Sequence, residues 1–153
     1  MDEALTLYPA WRQAVAQLDA DGMLVPGKVI DKAWLDAAFG IQPPKSFEDV
    51  DKNRLRFVSQ MSALRDELLT KRKLMLRAVD GIGYRIVLPQ EQTGTALKDR
   101  GASIRRELRS LHCELAYVDH AALTDEQSKK NADALAQIGV LAGFVKEKIP
   151  RIT

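Results

Sequence analysis

The sequence is poor in the residue types on which covalent cross-links and metal centres depend. Cys113 is the only cysteine, and His112 and His120 are the only histidines among 153 residues. A lone cysteine cannot form an internal disulfide, which fits a reducing compartment. Neither a CxxC nor an HExxH spacing is present, and too few ligands remain for four-coordinate zinc. We therefore expect no metal site, no cofactor and no enzymatic activity.

The sequence also lacks any apolar run of the roughly 20 residues needed to cross a bilayer. The first residues, MDEALTLYPAWRQ, are acidic and do not follow the basic-then-apolar pattern of a secretory signal. Hydrophobic residues make up 46% and charged residues 29% of the chain, the composition of a folded globular protein. We expect a cytoplasmic protein without membrane contact.

Positive charge is concentrated in one stretch of the chain. Residues 1–50 carry four basic and eight acidic side chains, residues 51–88 carry nine and four, and residues 89–153 carry ten and nine. The middle stretch has a net charge of +5, against +2 for the whole protein. Because phosphate attraction depends on local charge density, this stretch is the candidate for nucleic-acid contacts. The alternative is a solvated helix face that happens to be basic.

Two helices are predicted before this stretch. The first occupies residues 1–22, with Pro9 at its first helical position and Gly22 in a left-handed cap. The second is AWLDAAFG, which Gly40 ends; Asp31 is its predicted N-cap, with the carboxylate accepting from backbone N–H groups. Aromatic and leucine side chains at helical spacing supply its buried side: Trp34, Leu35 and Phe39.

A longer third helix follows Pro43-Pro44. Its start is predicted at Ser46, where Asp49 completes a capping box, or nearer Asp51. Apolar residues at i, i+4, i+7 and i+11 predict one buried stripe: Phe57, Met61, Leu64 and Leu68. The other faces carry small and polar residues, which would let the helix lie close to base edges in a major groove. The alternative is that these residues are only tolerant of solvent: Arg56, Ser59, Gln60, Ser62 and Ala63.

A basic turn and a β-hairpin complete the stretch. Lys71, Arg72 and Lys73 are consecutive cations at a helix C-terminus, and compensation of the helix dipole needs only one of them. Residues 74–79 and 84–88 are the predicted strands, and the glycines of Asp80-Gly81-Ile82-Gly83 allow positive φ between them. This Gly-x-Gly lacks the third glycine and the helix of a nucleotide-binding fingerprint.

Three segments, in this order, are similar to one known module. Residues 24–39, LVPGKVIDKAWLDAAF, are similar to the turn and second helix of that module. Val58–Leu68 is similar to its recognition helix, including a Leu-Arg pair, and residues 79–86, VDGIGYRI, are similar to its wing. Together they resemble the DNA-binding effector domain of the OmpR/PhoB-type response regulators, a winged helix-turn-helix. The resemblance covers a little under half of the chain. It fits a phage- or plasmid-borne relative of that family.

The resemblance implies a role for each matching residue. Lys73 would approach the DNA backbone or minor groove, Tyr84 would pack under the wing, and Arg85 would brace the wing or reach a phosphate. Four residues would lie on or beside the groove-facing surface: Gln60, Ser62, Ala63 and Arg65. Ser62 and Ala63 stand where the family often has basic residues, and Asp80 where it often has Arg. No receiver domain precedes the module, so control by phosphorylation is not implied.

Two further helices are predicted beyond a break at residues 89–95. The fourth helix runs from about Ala96 to Val118, with apolar residues in a heptad-like seam: Leu97, Ile104, Leu108, Leu111 and Leu115. The fifth starts at Thr124, where Gln127 completes a capping box, and ends before Pro150. The short connection predicts antiparallel neighbours. This hairpin would fold back on the winged helix or, as we favour, form a homodimer.

The predicted fold is therefore mainly α with a small β-hairpin wing. A winged helix-turn-helix occupies residues 1–89, and an antiparallel helical hairpin occupies 95–150. The predicted function is sequence-preferring binding of double-stranded DNA by a small transcriptional regulator. A protein-binding adaptor or inhibitor and an origin- or end-binding replication factor are the alternatives. The expected DNA contacts are Arg54, Arg56, Ser59, Gln60, Ser62, Ala63, Arg65, Lys71, Arg72, Lys73 and Arg85.

Overall fold

The computed structural model describes residues 8–148. Contacts between residues divide the chain after Gln92 into two compact units, each described by itself below. The described helices and strands are, in order, α1 (Ala10–Ala20), β1 (Val29–Asp31), α2 (Lys32–Ala38), α3 (Phe47–Arg72), β2 (Leu76–Val79), β3 (Gly83–Ile86), α4 (Pro89–Ala116) and α5 (Asp125–Lys148). The prediction of a mainly helical protein with a small antiparallel sheet is confirmed.

The sheet of the first unit has three strands where the sequence predicted two. The strands are antiparallel in the order β1-β3-β2, so the central strand is the last in sequence. Ile30 of β1 and Ala78 of β2 both pair with Tyr84. β1 was missed because three residues are too few to show an alternating pattern. Its middle residue, Ile30, is nonetheless 2% exposed and joins the core.

The core of the first unit brings together side chains from all three of its helices and from the sheet. The predicted stripe on α3 is confirmed: Met61 is buried at 3% exposure, Leu64 and Leu68 at 0%, and Phe57 packs beside them. Phe57 also contacts the rings of Phe39 and Tyr84, at centroid distances of 5.6 and 6.3 Å. α3 is therefore fixed by one face, and its opposite face is left outward.

Helix ends follow the predictions in part. Ser46 is the N-cap of α3, and its hydroxyl accepts from the Asp49 N–H at 3.2 Å. Gly22 has φ +67°, the predicted left-handed conformation at the end of α1. The predicted position of Pro9 is wrong by one residue, because α1 begins at Ala10 and Pro9 is its N-cap in extended conformation. Residues 1–7 of that predicted helix lie outside the described residues.

The predicted side-chain cap of α2 is wrong. Asp31 is the N-cap residue, but its carboxylate makes no capping hydrogen bond. The Lys32 N–H donates instead to the Ile82 carbonyl oxygen at 3.0 Å. The turn between β2 and β3 thus gives a partner to one of the backbone N–H groups that the first turn of a helix leaves free.

The second unit consists of most of α4, a 3-10 turn at His120–Ala122, and α5. The predicted break at residues 89–95 is wrong, because α4 begins at Pro89, where a missing N–H costs nothing at a first helical position. The capping box is confirmed: the Thr124 N–H donates to Gln127 Oε1 at 3.0 Å, and the Gln127 N–H to Thr124 Oγ1 at 3.2 Å. Pro150, the predicted stop, lies outside the described residues.

One hydrogen bond indicates the register between α4 and α5. Asn131 Nδ2 donates to the Leu115 carbonyl oxygen at 3.0 Å. For an antiparallel pair, successive steps of seven residues from this bond bring Ile138 level with Leu108, and Val145 level with Gly101. Ile138, Val145 and Gly101 are buried, so the burial pattern fits that register.

Candidate nucleic-acid interface

The outward face of α3 is set by the burial of the opposite stripe. Leu55, Ser59, Ser62 and Asp66 are exposed along this face, and Ala63 at its edge is half-buried. Ser59 and Ser62 were predicted on this face. Their small side chains would let the helix backbone approach a partner closely.

Gln60 has a partner inside the fold. Its Oε1 accepts a hydrogen bond from the Trp11 backbone N–H at 3.0 Å. Trp11 lies in the first turn of α1, where N–H groups have no partner within the helix. Gln60 thus caps α1 from another helix, and its carbonyl oxygen is already occupied where base recognition was predicted.

Three arginines of α3 also connect it to other elements. Arg56 Nε donates to the Phe39 carbonyl oxygen at 2.8 Å, at the C-terminal end of α2. Arg65 Nη2 donates to the Leu76 carbonyl oxygen of β2 at 3.2 Å. Arg72 forms an ion pair with Asp19 of α1, with 3.0 Å between Nη2 and Oδ2. These contacts hold α3 in place and reduce the freedom of the same side chains to reach DNA.

The C-terminal end of α3 keeps two cations outward. Lys71 and Lys73 are exposed, and within residues 8–148 neither side chain has a hydrogen bond or ion pair. Lys73 adopts a left-handed conformation at φ +58°, and the Leu74 N–H then bonds to the Leu68 carbonyl oxygen at 2.9 Å. The chain therefore turns sharply from α3 into β2, and the two lysines stand at the junction of helix and hairpin. Arg54, in the N-terminal third of α3, is also exposed.

The hairpin is held against β1 by a close backbone approach. A Cβ atom at Gly83 would overlap the Ile30 carbonyl oxygen, so only glycine fits this position. Ile82, at the tip, is 54% exposed beside the exposed Asp80. Arg85 forms an ion pair with Glu91 in the first turn of α4, with 3.1 Å between Nη1 and Oε2.

The N-terminal half of α3 has a different character. Glu48 and Asp51 are exposed there, and Asp66 is exposed further along the helix. Leu55 is 70% exposed and Val58 is 58% exposed. A shallow groove between α2, α3 and the segment that joins them adds mostly apolar surface and is lined in part by Ile41, Pro44, Val50, Phe57 and Val58. Acidic groups repel phosphate, whereas exposed apolar side chains are typical of protein contacts.

Comparison with known proteins adds no relative to these observations. No family model, no curated protein and no solved structure matches the sequence. Across residues 8–148, no group of three or more His, Cys, Asp or Glu side chains is arranged to hold a metal ion. None of the helices in that range is both long enough and apolar enough to span a membrane. Functional inference therefore depends on the geometry of this chain alone.

The role of Gln60 in the fold left a weak signal in the sequence. Gln60 lies between Phe57 and Met61 in the predicted stripe, so it borders the buried face instead of standing opposite it. A polar residue at such an edge is close to neighbouring backbone and commonly bonds to it. No comparable signal marks Arg56 or Arg65, whose partners are carbonyl groups distant in sequence.

Proposed function

We propose that residues 8–92 are a winged-helix unit that binds double-stranded DNA, as a small transcriptional regulator does. α3 would enter the major groove, and the β2–β3 hairpin would lie against the sugar-phosphate backbone. The observation that carries the proposal is the order α1, β1, α2, α3, β2, β3, with β3 between the other two strands. This order supports the arrangement that the sequence resemblance implies.

Affinity comes mainly from phosphate contacts near the junction of α3 and the hairpin. Lys71 and Lys73 are exposed there without an internal partner among the described residues. Arg72 adds charge, although Asp19 shares it. Each phosphate that a cation neutralises releases condensed counterions, so binding should weaken steeply with salt.

Sequence preference comes from the outward face of α3. Ser59 and Ser62 can reach base edges with hydroxyl groups that donate or accept. Gln60 and Arg65 contribute only if they leave the Trp11 N–H and the Leu76 carbonyl oxygen. We therefore expect the phosphate contacts to account for most of the affinity, and the discrimination between sequences to be modest.

The test is binding to a random-sequence duplex of roughly two helical turns, measured by fluorescence anisotropy. We expect a dissociation constant in the micromolar range at physiological salt, and a steep loss of affinity between roughly 50 and 200 mM salt. Absence of binding even at the lower salt concentration would rule out the proposal.

A charge-matched pair of variants locates the contacts. Lys71→Gln with Lys73→Gln removes two cations from the junction, and should flatten the slope of log affinity against log salt by about 2. Lys130→Gln with Lys146→Gln removes the same charge from α5 and should leave the slope nearly unchanged. Equal slopes in the two double variants would mean that the phosphate contacts do not lie at the junction of α3 and the hairpin.

The outward face of α3 supports a second candidate, a winged helix that binds protein. Leu55 and Val58 are exposed beside acidic Glu48 and Asp51, and the groove next to Val58 is mainly apolar. This surface suits the apolar face of an amphipathic helix.

The two candidates respond to different substitutions. Leu55→Ser with Val58→Ser should abolish capture of such a partner, in a complex that survives high salt, and leave the salt slope of DNA binding unchanged. The double variant Lys71→Gln with Lys73→Gln should flatten the salt slope of DNA binding and leave capture of the protein partner unchanged. Loss of DNA affinity in the Leu55 and Val58 variant would mean that DNA occupies the apolar face as well.

A further inference from the structure

Most of the basic side chains of α4 lie on one side of the helix. Gly101, Leu108 and Leu115 mark the face toward α5, because Gly101 is buried and the two leucines are half-buried. At 100° per residue, four cations fall in a sector about 60–160° from Leu108. We call these four residues the basic strip of α4: Lys98, Arg105, Arg106 and Arg109.

The acidic side chains of α4 lie outside this strip. Asp99 falls opposite the face toward α5, where it borders the strip, and Glu107 and Glu114 fall on the other side of the helix. Glu91 has the angular position of the strip, but it lies two turns before the first cation and pairs with Arg85. Between residues 92 and 116 the sector therefore carries charge of one sign.

The neighbouring helix does not neutralise the strip. In the register that the Asn131–Leu115 hydrogen bond indicates, Asp133 of α5 lies level with residue 113, beyond the strip, and the earlier acidic residues of α5 lie further away. Glu147 lies level with residue 99. It stands half a rotation from the buried Ile138, however, on the side of α5 away from α4. Within residues 125–148, α5 thus places no carboxylate beside these cations.

Three members of the strip are open to a ligand. Lys98, Arg106 and Arg109 are exposed, and within residues 8–148 none of them has a hydrogen bond or ion pair. The strip lies in the middle of a 28-residue helix, so compensation of the helix dipole does not account for it. Arg109 stands one turn from both Arg105 and Arg106, and like charges at this spacing destabilise a helix. An anionic partner would remove that repulsion.

We propose that the basic strip of α4 binds the sugar-phosphate backbone of double-stranded DNA. The inference rests on the proposed function, which supplies the ligand, and it adds contacts outside the first unit. The strip is about 16 Å long at 1.5 Å per residue. One strand of DNA carries about five phosphates over such a length of its axis. Three of the four cations are arginines, whose planar guanidinium groups can bind phosphate through two hydrogen bonds.

The neighbours of the strip favour DNA over a membrane surface. A helix that lies on a membrane carries large apolar side chains to insert beside its cations. Between residues 92 and 116, the other side chains in the sector are all small: Thr95, Ala102, Cys113 and Ala116. Small neighbours leave the cations accessible to a rigid phosphate backbone and give a bilayer nothing to bury.

The first test compares two double variants of the full chain that each remove one lysine and one arginine. Lys98→Gln with Arg109→Gln takes two cations from the strip. Arg100→Gln with Lys130→Gln is the matched control, because Arg100 lies on the opposite side of α4 and Lys130 lies on α5. Binding to the random-sequence duplex is measured by fluorescence anisotropy against salt. The strip variant should flatten the slope of log affinity against log salt by about 2 and weaken binding at physiological salt at least about tenfold. The control should keep the wild-type slope.

The outcomes separate this inference from the proposed function. Equal slopes in the two double variants, with DNA binding by wild type intact, would overturn the inference and leave the proposed function standing. Absence of DNA binding by wild type would overturn both. A flattened slope in the strip variant, with no effect of Lys71→Gln and Lys73→Gln, would support the strip and contradict the contacts at the junction. If the strip variant kept the wild-type slope but lost binding to labelled polyglutamate, the strip would belong to an acidic protein and the inference would be wrong.

The second test adds charge and so does not depend on the loss of a side chain. Ala102→Lys places a fifth cation within the strip, and Ser103→Lys places the same charge outside it; both residues are exposed. Ala102→Lys should steepen the salt slope by about 1 and tighten binding about threefold or more. Ser103→Lys should leave the slope nearly unchanged. Equal steepening in the two variants would show that total charge sets the affinity, and would overturn the inference.

Discussion

The two units differ sharply in how completely they cover their own apolar side chains. In the first unit, Leu35, Phe39, Leu64, Leu68 and Ile86 are all at 0% exposure. In the second, the most buried large side chains are Val145 at 8% and Ile138 at 9%, while Val140 and Phe144 are open to solvent. Hydrophobic stabilisation is roughly proportional to the apolar area removed from water. The first unit is therefore expected to be the more stable of the two.

The unfolding of the first unit can be followed separately, because the tryptophan residues lie in that unit alone. Both tryptophans, Trp11 and Trp34, belong to the first unit, so tryptophan fluorescence follows that unit alone. Circular dichroism at 222 nm follows the helices of both. We expect the dichroism to change at lower denaturant concentration than the fluorescence, because non-coincident transitions are the sign of separate unfolding.

The largest effect is expected in the core of the first unit. Leu64→Ala removes a fully buried side chain of α3 and should cost about 2–5 kcal/mol of unfolding free energy. Urea titration followed by tryptophan fluorescence measures it. Ile138→Ala is the counterpart in α5 of the second unit. It should move the dichroism transition to lower urea concentration and leave the midpoint of the fluorescence transition unchanged. A fluorescence midpoint that moves equally in both variants would show that the units unfold as one.

A second substitution tests how the β2–β3 hairpin is attached to β1. Gly83→Ala places a Cβ atom against the Ile30 backbone, which cannot retreat without opening the β1–β3 pairing. We expect a loss of about 1–3 kcal/mol, the usual range for overpacking, with reduced DNA affinity. Gly22→Ala is the control, because its Cβ would meet nothing within 4 Å although its φ is also positive. A stability loss no larger than that of the control would mean that the β2–β3 hairpin can shift to accommodate the methyl group.

The sequence predicted those elements whose pattern is long enough to repeat. α3 has four apolar residues in register, and its burial agrees with the spacing. β1 is three residues long and carries no period, so its pairing with β3 depends on tertiary contacts alone. The helical start at Pro89 was missed because Pro, Gly and Thr in residues 89–95 have weak helix propensity that the following helix overcomes.

The candidate site was predictable in its location but not in the detail of its side chains. The net charge of residues 51–88 indicated the stretch, and Lys71 and Lys73 are exposed in it. Hydrogen bonds from Arg56 to Phe39 and from Arg65 to Leu76 join residues 17 and 11 positions apart. Long-range partners of this kind leave no local pattern in a single sequence. The expected DNA contacts of these residues therefore stay predictions.

A smaller effect tests whether Gln60 serves the fold or the partner. Gln60→Ala removes the acceptor for the Trp11 N–H and should cost about 1 kcal/mol, as loss of a helix cap does. Gln60→Glu keeps an acceptor oxygen and should retain most of the stability. Ser59→Ala, on the outward face, should change stability by less than about 0.5 kcal/mol. If Gln60→Ala weakens DNA binding without any loss of stability, the residue contacts DNA directly.

The smallest expected effect has the opposite sign and concerns the segment that joins the units. Gly94 lies inside α4, and a Cβ atom there would meet nothing within 4 Å. Gly94→Ala should therefore stabilise the protein by about 0.5–1 kcal/mol, because alanine loses less backbone entropy than glycine on entering a helix. Gly81→Ala has equally open surroundings but φ +73°, and should destabilise by about 1 kcal/mol. Thermal unfolding followed by circular dichroism compares the two directly. If residues 89–95 formed a flexible break instead of a helix, Gly94→Ala would give no gain, because the methyl group would then restrict the backbone equally in the folded and unfolded states.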